Sequence, residues 1–175
     1  MENTVLHSLV TRRSVRSYKS DPVPQELLDQ IIEAGLYAAS GMGRQGAVIL
    51  QVTDKALRDR LMRMNAAIMG REGTDPFYGA PALLIVLSDR GCPTYLYDGS
   101  LVMGNMMNAA HALGLGGCWI HRAREEFDSD EGKEILRSLG IAGDYEGIGH
   151  LIVGYPDGVL PDAKPRREGR VFRAE

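Results

Sequence analysis

The sequence predicts an α+β fold in a single domain. Helical segments are mixed with about four strand-like runs, and they show no regular βαβ alternation. At 175 residues the chain fits one domain and can bury a sizeable core. No internal repeat, linker or low-complexity stretch marks a second unit.

The elements can be justified in chain order. Thr4 to Arg13 reads as a short helix. In "DPVPQELLDQIIEAGLYAAS", Pro22 and Pro24 break what precedes, and Gln25 and Glu26 suit a first helical turn. Leu28, Ile31, Ile32, Gly35 and Leu36 then recur on one face. "GMGRQG" is turn-like and leads into the strand "AVILQVT". Asp54 can cap a helix with Leu57, Leu61, Met64 and Ile68 on one side. After the loop "REGTDPFYGAP" comes a buried strand, "ALLIVLS". "DGSLVMGNMMNAAHALGL" is a helix that is apolar nearly all round, so most of its sides must be covered. "GGCWI" is a short strand, residues 123–139 hold one or two helices, and "GIGHLIVGY" is the last strand. The tail from Pro156 is polar and lacks periodicity, so it is loose or laid over something else.

Composition excludes several classes. With 44% hydrophobic and 25% charged residues, this is an ordinary soluble composition. No apolar run approaches a membrane span. "MENTVLHSLV" lacks the basic start and apolar core of a signal peptide, so a cytoplasmic protein is expected. Cys92 and Cys118 are far apart without a CxxC, which suggests reduced thiols and neither a disulfide nor a metal site.

Charge is unevenly placed. Arg12, Arg13, Arg16 and Lys19 stand together with no acid among them. Lys164, Arg166, Arg167, Arg170 and Arg173 face only Glu168, although the whole chain carries a net −3. An acidic body with two basic runs argues against general nucleic-acid binding. The runs are either two solvated stretches or two ends converging on one compact anion.

The motifs narrow the chemistry. Gly41, Gly43 and Gly46 match G-x-G-x-x-G. However, the match follows a helix and opens a strand, the reverse of a dinucleotide fingerprint. His111 reads as a satisfied core histidine, and the carboxylates between Glu125 and Glu134 as surface. No nucleophile motif or metal-ligand spacing appears, so no catalytic side chain and no metal ligand are assigned. If the protein is an enzyme, a cofactor supplies the chemistry. A phosphate monoester suits the arginine forks, with Ser14 adding a hydroxyl, and a second basic group would hold negative charge on a reduced ring. The basic runs and the glycine-rich turn therefore suggest a phosphorylated, planar, redox-active ligand.

"RRSVRSY", "PVPQELLDQIIEAGLYAASGMGRQ", "FYGAPALLIVLSD", "GNMMNAAHALGLGGCWI" and "GHLIVGYP", in that order, resemble the nitroreductase family of flavoproteins over nearly the whole chain. The resemblance implies a central, mostly antiparallel sheet flanked by helices, and a homodimer with two FMN molecules at its interface. It implies that Arg12, Arg13, Ser14 and Arg16 grip the FMN phosphate, ribityl chain and pyrimidine edge, with Lys164 and Arg166 closing on the phosphate. Ala39, Ser40, Gly41, Gly43 and Gln45 match the loop that borders the isoalloxazine from the partner chain. Asn65 matches a polar ring neighbour, and Gly116 and Gly117 the turn near N5. The helix over 99–113 would be the main dimer contact, and the tail from about 156 would pack on the partner.

The implied activity is hydride transfer from NAD(P)H through flavin N5 to an acceptor such as a nitroaromatic or a quinone. The alternatives are a flavin-binding storage or sensing protein without turnover, and a specialised reductase or dehydrogenase on the same fold. Gly43 stands where many members carry Asn, and Gly46-Ala47 where many carry Pro-Trp. Both changes remove bulk beside the ring.

Overall fold

The structure, a computed structural model, describes residues 3–174. Its elements run α1 (Thr4–Thr11), α2 (Gln25–Leu36), β1 (Ala47–Val52), α3 (Lys55–Ile68), β2 (Ala82–Asp89), α4 (Tyr95–Ala112), β3 (Gly116–Ile120), α5 (Ala123–Asp128), α6 (Asp130–Ser138) and β4 (Tyr145–Gly154). The four strands form one sheet in the order β1-β2-β4-β3, and every pairing is antiparallel. This is the α+β architecture expected from the sequence.

The two central strands are buried on both faces, which explains their continuous apolar runs. Alternation in β2 sends Leu84 and Val86 to one core with α2 and α4. Leu83, Ile85 and Leu87 go to the other, with α3, α5 and α6. A bulge interrupts the β2–β4 ladder where Val86 pairs with Gly149 but Leu87 pairs with Gly147. The extra residue, Ile148, joins the α4 core along with Leu151 and Val153.

Several boundaries and faces differ from expectation. α1 stops at Thr11, because Arg12 turns to an extended ψ of 135° as its C-cap. α4 begins one turn before Asp98, at Tyr95. On α2, Leu36 points outward and is 57% exposed. On α3, the buried residues are Leu61, Asn65 and Ala66, while Ile68 lies outside. Glu126 is not a surface carboxylate. It is fully buried and comes within 2.5 Å of His150, itself flanked by the Phe77 and Phe127 rings. His150, not His111, is thus the core histidine. A buried carboxylate survives only with such a partner.

α4 crosses the sheet closely because Gly99 has no side chain. A Cβ there would fall 2.6 Å from Ile148 Cγ1. Substituting Gly→Ala inside a helix normally adds up to about 1 kcal/mol. Here Gly99→Ala should instead cost about 1–3 kcal/mol through overpacking, read as a lower urea midpoint in chemical denaturation.

Candidate functional site

The basic stretch after α1 is fixed by the sheet. Ser14 bridges in parallel to Gly117, and Val15 donates its N–H to the Gly117 carbonyl at 3.2 Å. Val15 is buried across Gly116, where a Cβ would fall within 2.8 Å of its side chain. Gly116 therefore lets the segment after Arg13 lie flat on β3. Arg13 turns back and donates to the Val10 and Arg12 carbonyls, both at 2.8 Å. Even so, Arg12 Nη1 and Arg13 Nε are buried without a hydrogen-bond partner. Buried donors are rarely left unmade, so these two mark a place for an acceptor.

Arg16 leads from this anchor into a cleft of about 360 Å³. Tyr78 lines it, and Arg71, His121 and Arg122 contribute charge and polarity, whereas the Trp119 ring packs over Gly149 on the α4 side of the sheet. Asn65 stands behind it, fully buried, donating to the His121 carbonyl at 3.0 Å and accepting from Arg122 Nε at 2.9 Å. It is not in the cleft lining itself but is bonded to two residues that are, His121 and Arg122. Burial, with the Cys118 thiol beside it, pushes the Tyr18 phenol well above its ordinary range, and Arg16 opposes this only in part. The phenol stays neutral and donates to the Val15 carbonyl at 2.8 Å.

The loop over residues 39–45 lies elsewhere. It contains a 3₁₀ turn at Gly41–Gly43 and is held by Asp98, which accepts from the Gly41 N–H at 3.0 Å and from Thr94 Oγ1 at 2.8 Å. Ser40 Oγ accepts from the Gln45 N–H at 3.1 Å. Ala39, Gly43 and Gln45 are exposed, with Ser40 and Gly41 partly covered. This loop sits at the first turn of α4. The arginine anchor sits at the last, where His111 Nε2 meets Thr11 Oγ1 at 2.9 Å. At 1.5 Å per residue, the ends at Asp98 and His111 are ~20 Å apart. Within one chain the structure therefore gathers Arg12, Arg13, Ser14, Arg16, Gly116 and Gly117, and keeps Ala39, Ser40, Gly41, Gly43 and Gln45 apart from them.

The tail is only partly docked. Pro156 bridges to Tyr18, Asp157 donates its N–H to the Ser17 carbonyl at 3.0 Å, and Leu160 covers part of the groove between α1 and α4. Residues 161–174 are exposed, and Arg166 hydrogen-bonds the Lys164 carbonyl.

Four non-glycine residues among those described have positive φ: Met42, Gln45, Tyr78 and Arg122. Two lie in the 39–45 loop and two line the cleft. Such strain persists where surrounding structure enforces it, commonly at ligand sites. The sequence reading passed over Arg71, Asp98, Trp119, His121 and Arg122. The only local signal for Arg122 is a charged residue in the short link between a strand and a helix. Among the described residues, no group of three or more His, Cys, Asp or Glu could hold a metal ion.

The Nitroreductase family profile matches residues 9–155. The chain belongs to the nitroreductase family. An FMN reductase [NAD(P)H] of Bacillus subtilis is 28% identical over 88% of this nitroreductase-family chain and 66% of its own length. An NADPH-flavin oxidoreductase of Vibrio harveyi is 26% identical over 97% of the chain and 72% of its own length. A relative from Methanothermobacter thermautotrophicus is 29% identical over 66% of the chain, which spans only 59% of that protein. Among solved structures, a nitroreductase with bound FMN from Bacteroides fragilis superposes with a TM-score of 0.91 at 28% identity, covering 99% of this chain and 100% of that one. No helix among the described residues is long and apolar enough to cross a membrane.

His111 gives the anchor a pH dependence. Burial holds its imidazole below the ordinary 6.5, and Arg12, Arg13 and His7 act in the same direction. The native form is thus neutral, while the unfolded chain takes up a proton below about pH 6.5. Stability from this group is complete above that pH and falls as pH drops. Urea midpoints should therefore decrease from about pH 8 to about pH 5.5, and His111→Gln should flatten part of that slope.

Proposed function

We propose that the protein is an FMN-dependent oxidoreductase that takes electrons from NAD(P)H and passes them to a small organic acceptor such as a nitroaromatic or a quinone. The observation that carries this reading is the pair of buried donors without partners, Arg12 Nη1 and Arg13 Nε, beside Ser14. A phosphate monoester presents three acceptor oxygens and nearly two negative charges, which satisfies both donors together. The FMN reductase and FMN-bound nitroreductase among its relatives support the same ligand.

FMN, when bound, supplies the two-electron chemistry. Arg12, Arg13 and Ser14 hold its phosphate, with Lys164 and Arg166 drawn in from the tail. Arg16 reaches toward the ring and offsets negative charge there. Gly116 and Gly117 keep the backbone thin beside the anchor. No side chain is required as an acid or base. For a nitro acceptor the balance is one NAD(P)H and one solvent proton per nitro group, giving NAD(P)⁺, a nitroso product and water.

A homodimer belongs to this reading. The loop over 39–45 and the arginine anchor lie at opposite ends of α4, so a two-fold axis near its middle brings each end onto the partner's other end. The inward face of α4, including Met103 and Met106, is used by the chain's own core. Its outward face carries Tyr97 and Leu101, 73% and 49% exposed. Beside it α1 buries no residue and exposes Val5, Leu6, Leu9 and Val10. Exposed apolar side chains on both helices suit an interaction surface.

The purified protein should be yellow, contain about one FMN per chain, and oxidise NAD(P)H when a quinone is added. Arg12→Ala should weaken FMN binding roughly ten- to a hundredfold, measured by flavin fluorescence on release. Colourless protein that takes up no added FMN would refute the cofactor assignment, and bound FMN without turnover would leave a storage or sensing protein. Leu101→Asp should convert a dimeric mass to a monomeric one in light scattering and release flavin together with it. A wild type that is monomeric with FMN bound would exclude the shared site.

A further inference from the structure

We propose that Arg122 and Arg71 anchor the acid group of an anionic aromatic acceptor in the cleft that Arg16 enters. The proposal rests on the oxidoreductase reading above and names the class of acceptor it serves.

Arg122 is held in place at a cost. Its φ of 80° is a region that side chains avoid, and it lies two residues past β3 as the N-cap of α5. Its Nε–H is taken by fully buried Asn65, which also fixes the His121 carbonyl. Both Nη groups remain, the end-on fork that matches a carboxylate or sulfonate. Asn65 stands on α3, and Arg71 follows that helix, its N–H bonded to the Ala66 carbonyl at 2.9 Å. One buried amide thus ties the two elements that carry the two arginines.

The cleft has no internal counter-charge for them. The acid in its lining is Asp75, which is committed to Arg58 at 2.6 Å and to the Phe77 and Gly79 N–H groups at 2.8 and 2.9 Å. Arg71 and Arg122 thus stand in the cleft without an acid of their own. Tyr78 lines the cleft and is itself held at a φ of 53°. A planar ring bearing one acid group suits both this lining and the charge.

The test is steady-state reduction of 4-nitrobenzoate and 4-nitrobenzamide by the holoprotein, two acceptors of nearly equal shape that differ by one charge. kcat/KM should favour nitrobenzoate by about tenfold or more, mainly through KM, and the preference should shrink with added salt. Arg122→Gln and Arg71→Gln should each reduce the ratio. Equal kcat/KM values in the wild type, or a ratio that neither substitution moves, would overturn the proposal. So would substitutions that erode discrimination between NADPH and NADH while leaving the acceptor ratio intact, because the arginines would then read the nucleotide's phosphate. If no acceptor is turned over, the oxidoreductase reading fails, and the anchor is judged by binding alone. Benzoate and benzamide are titrated while following emission of Trp119, the chain's single tryptophan. Saturation by benzoate at roughly tenfold lower concentration supports the anchor, and equal saturation overturns it.

Discussion

The packing of α4 against the sheet is the constraint on which the rest of the structure depends. Gly99 lets the helix approach Ile148, and Ile148 faces that way only because the bulge in β4 changes the strand's alternation. Once α4 lies there, its two ends are fixed as the places where loops can be held. Asp98 clamps the 39–45 loop at one end, and His111 receives Thr11 at the other. The inward stripe of Val102, Met103, Met106 and Ala110 is consumed by the chain's own core. What remains outward is narrower than an all-round apolar helix suggests, and it is completed by α1, which has no core of its own to enter.

The site departs from relaxed geometry where it must present groups to a ligand. Met42 and Gln45 bring the loop around Gly43, and Tyr78 and Arg122 face the cleft, all with positive φ. Each such residue costs on the order of 1–3 kcal/mol, which the packed sheet and the buried Asn65 must offset. The elements between these points are regular and well buried. Among the described residues, positive φ outside glycine is therefore confined to the 39–45 loop and the cleft lining.

Much of the fold was legible in the sequence because it follows from periodicity. "GGCWI" is β3 without adjustment, and "ALLIVLS" is β2 short by one residue. The arginine stretch was legible too, because charge without counter-charge is visible without coordinates. What escaped was whatever depends on distant packing. Glu126 lies among surface acids in sequence, yet the fold folds it inward onto His150. Nothing local to Asn65 foretells that it accepts from Arg122 Nε. Arg122 itself carries no motif. Its significance comes from a backbone angle and from a hydrogen bond across 57 positions of sequence.

The distribution of charge gives these features a common direction. The chain is acidic overall, yet its anchor, its cleft and its tail are basic. A positive recess in a negative body focuses the field on anions and disfavours cationic ligands. The proposed ligands, FMN and NAD(P)H, are phosphorylated, and a reduced flavin ring is itself negative, so on that reading all of them move down the same potential. The unpaired donors at Arg12 and Arg13 extend the argument to stability. Each buried donor without a partner costs about 1–3 kcal/mol in the unliganded chain, and a bound phosphate removes that cost. Binding and folding are thereby linked, because an anion that occupies only the native state stabilises it in proportion to its affinity. On the phosphate reading, the same donors cost stability when unpartnered and add affinity when an anion meets them.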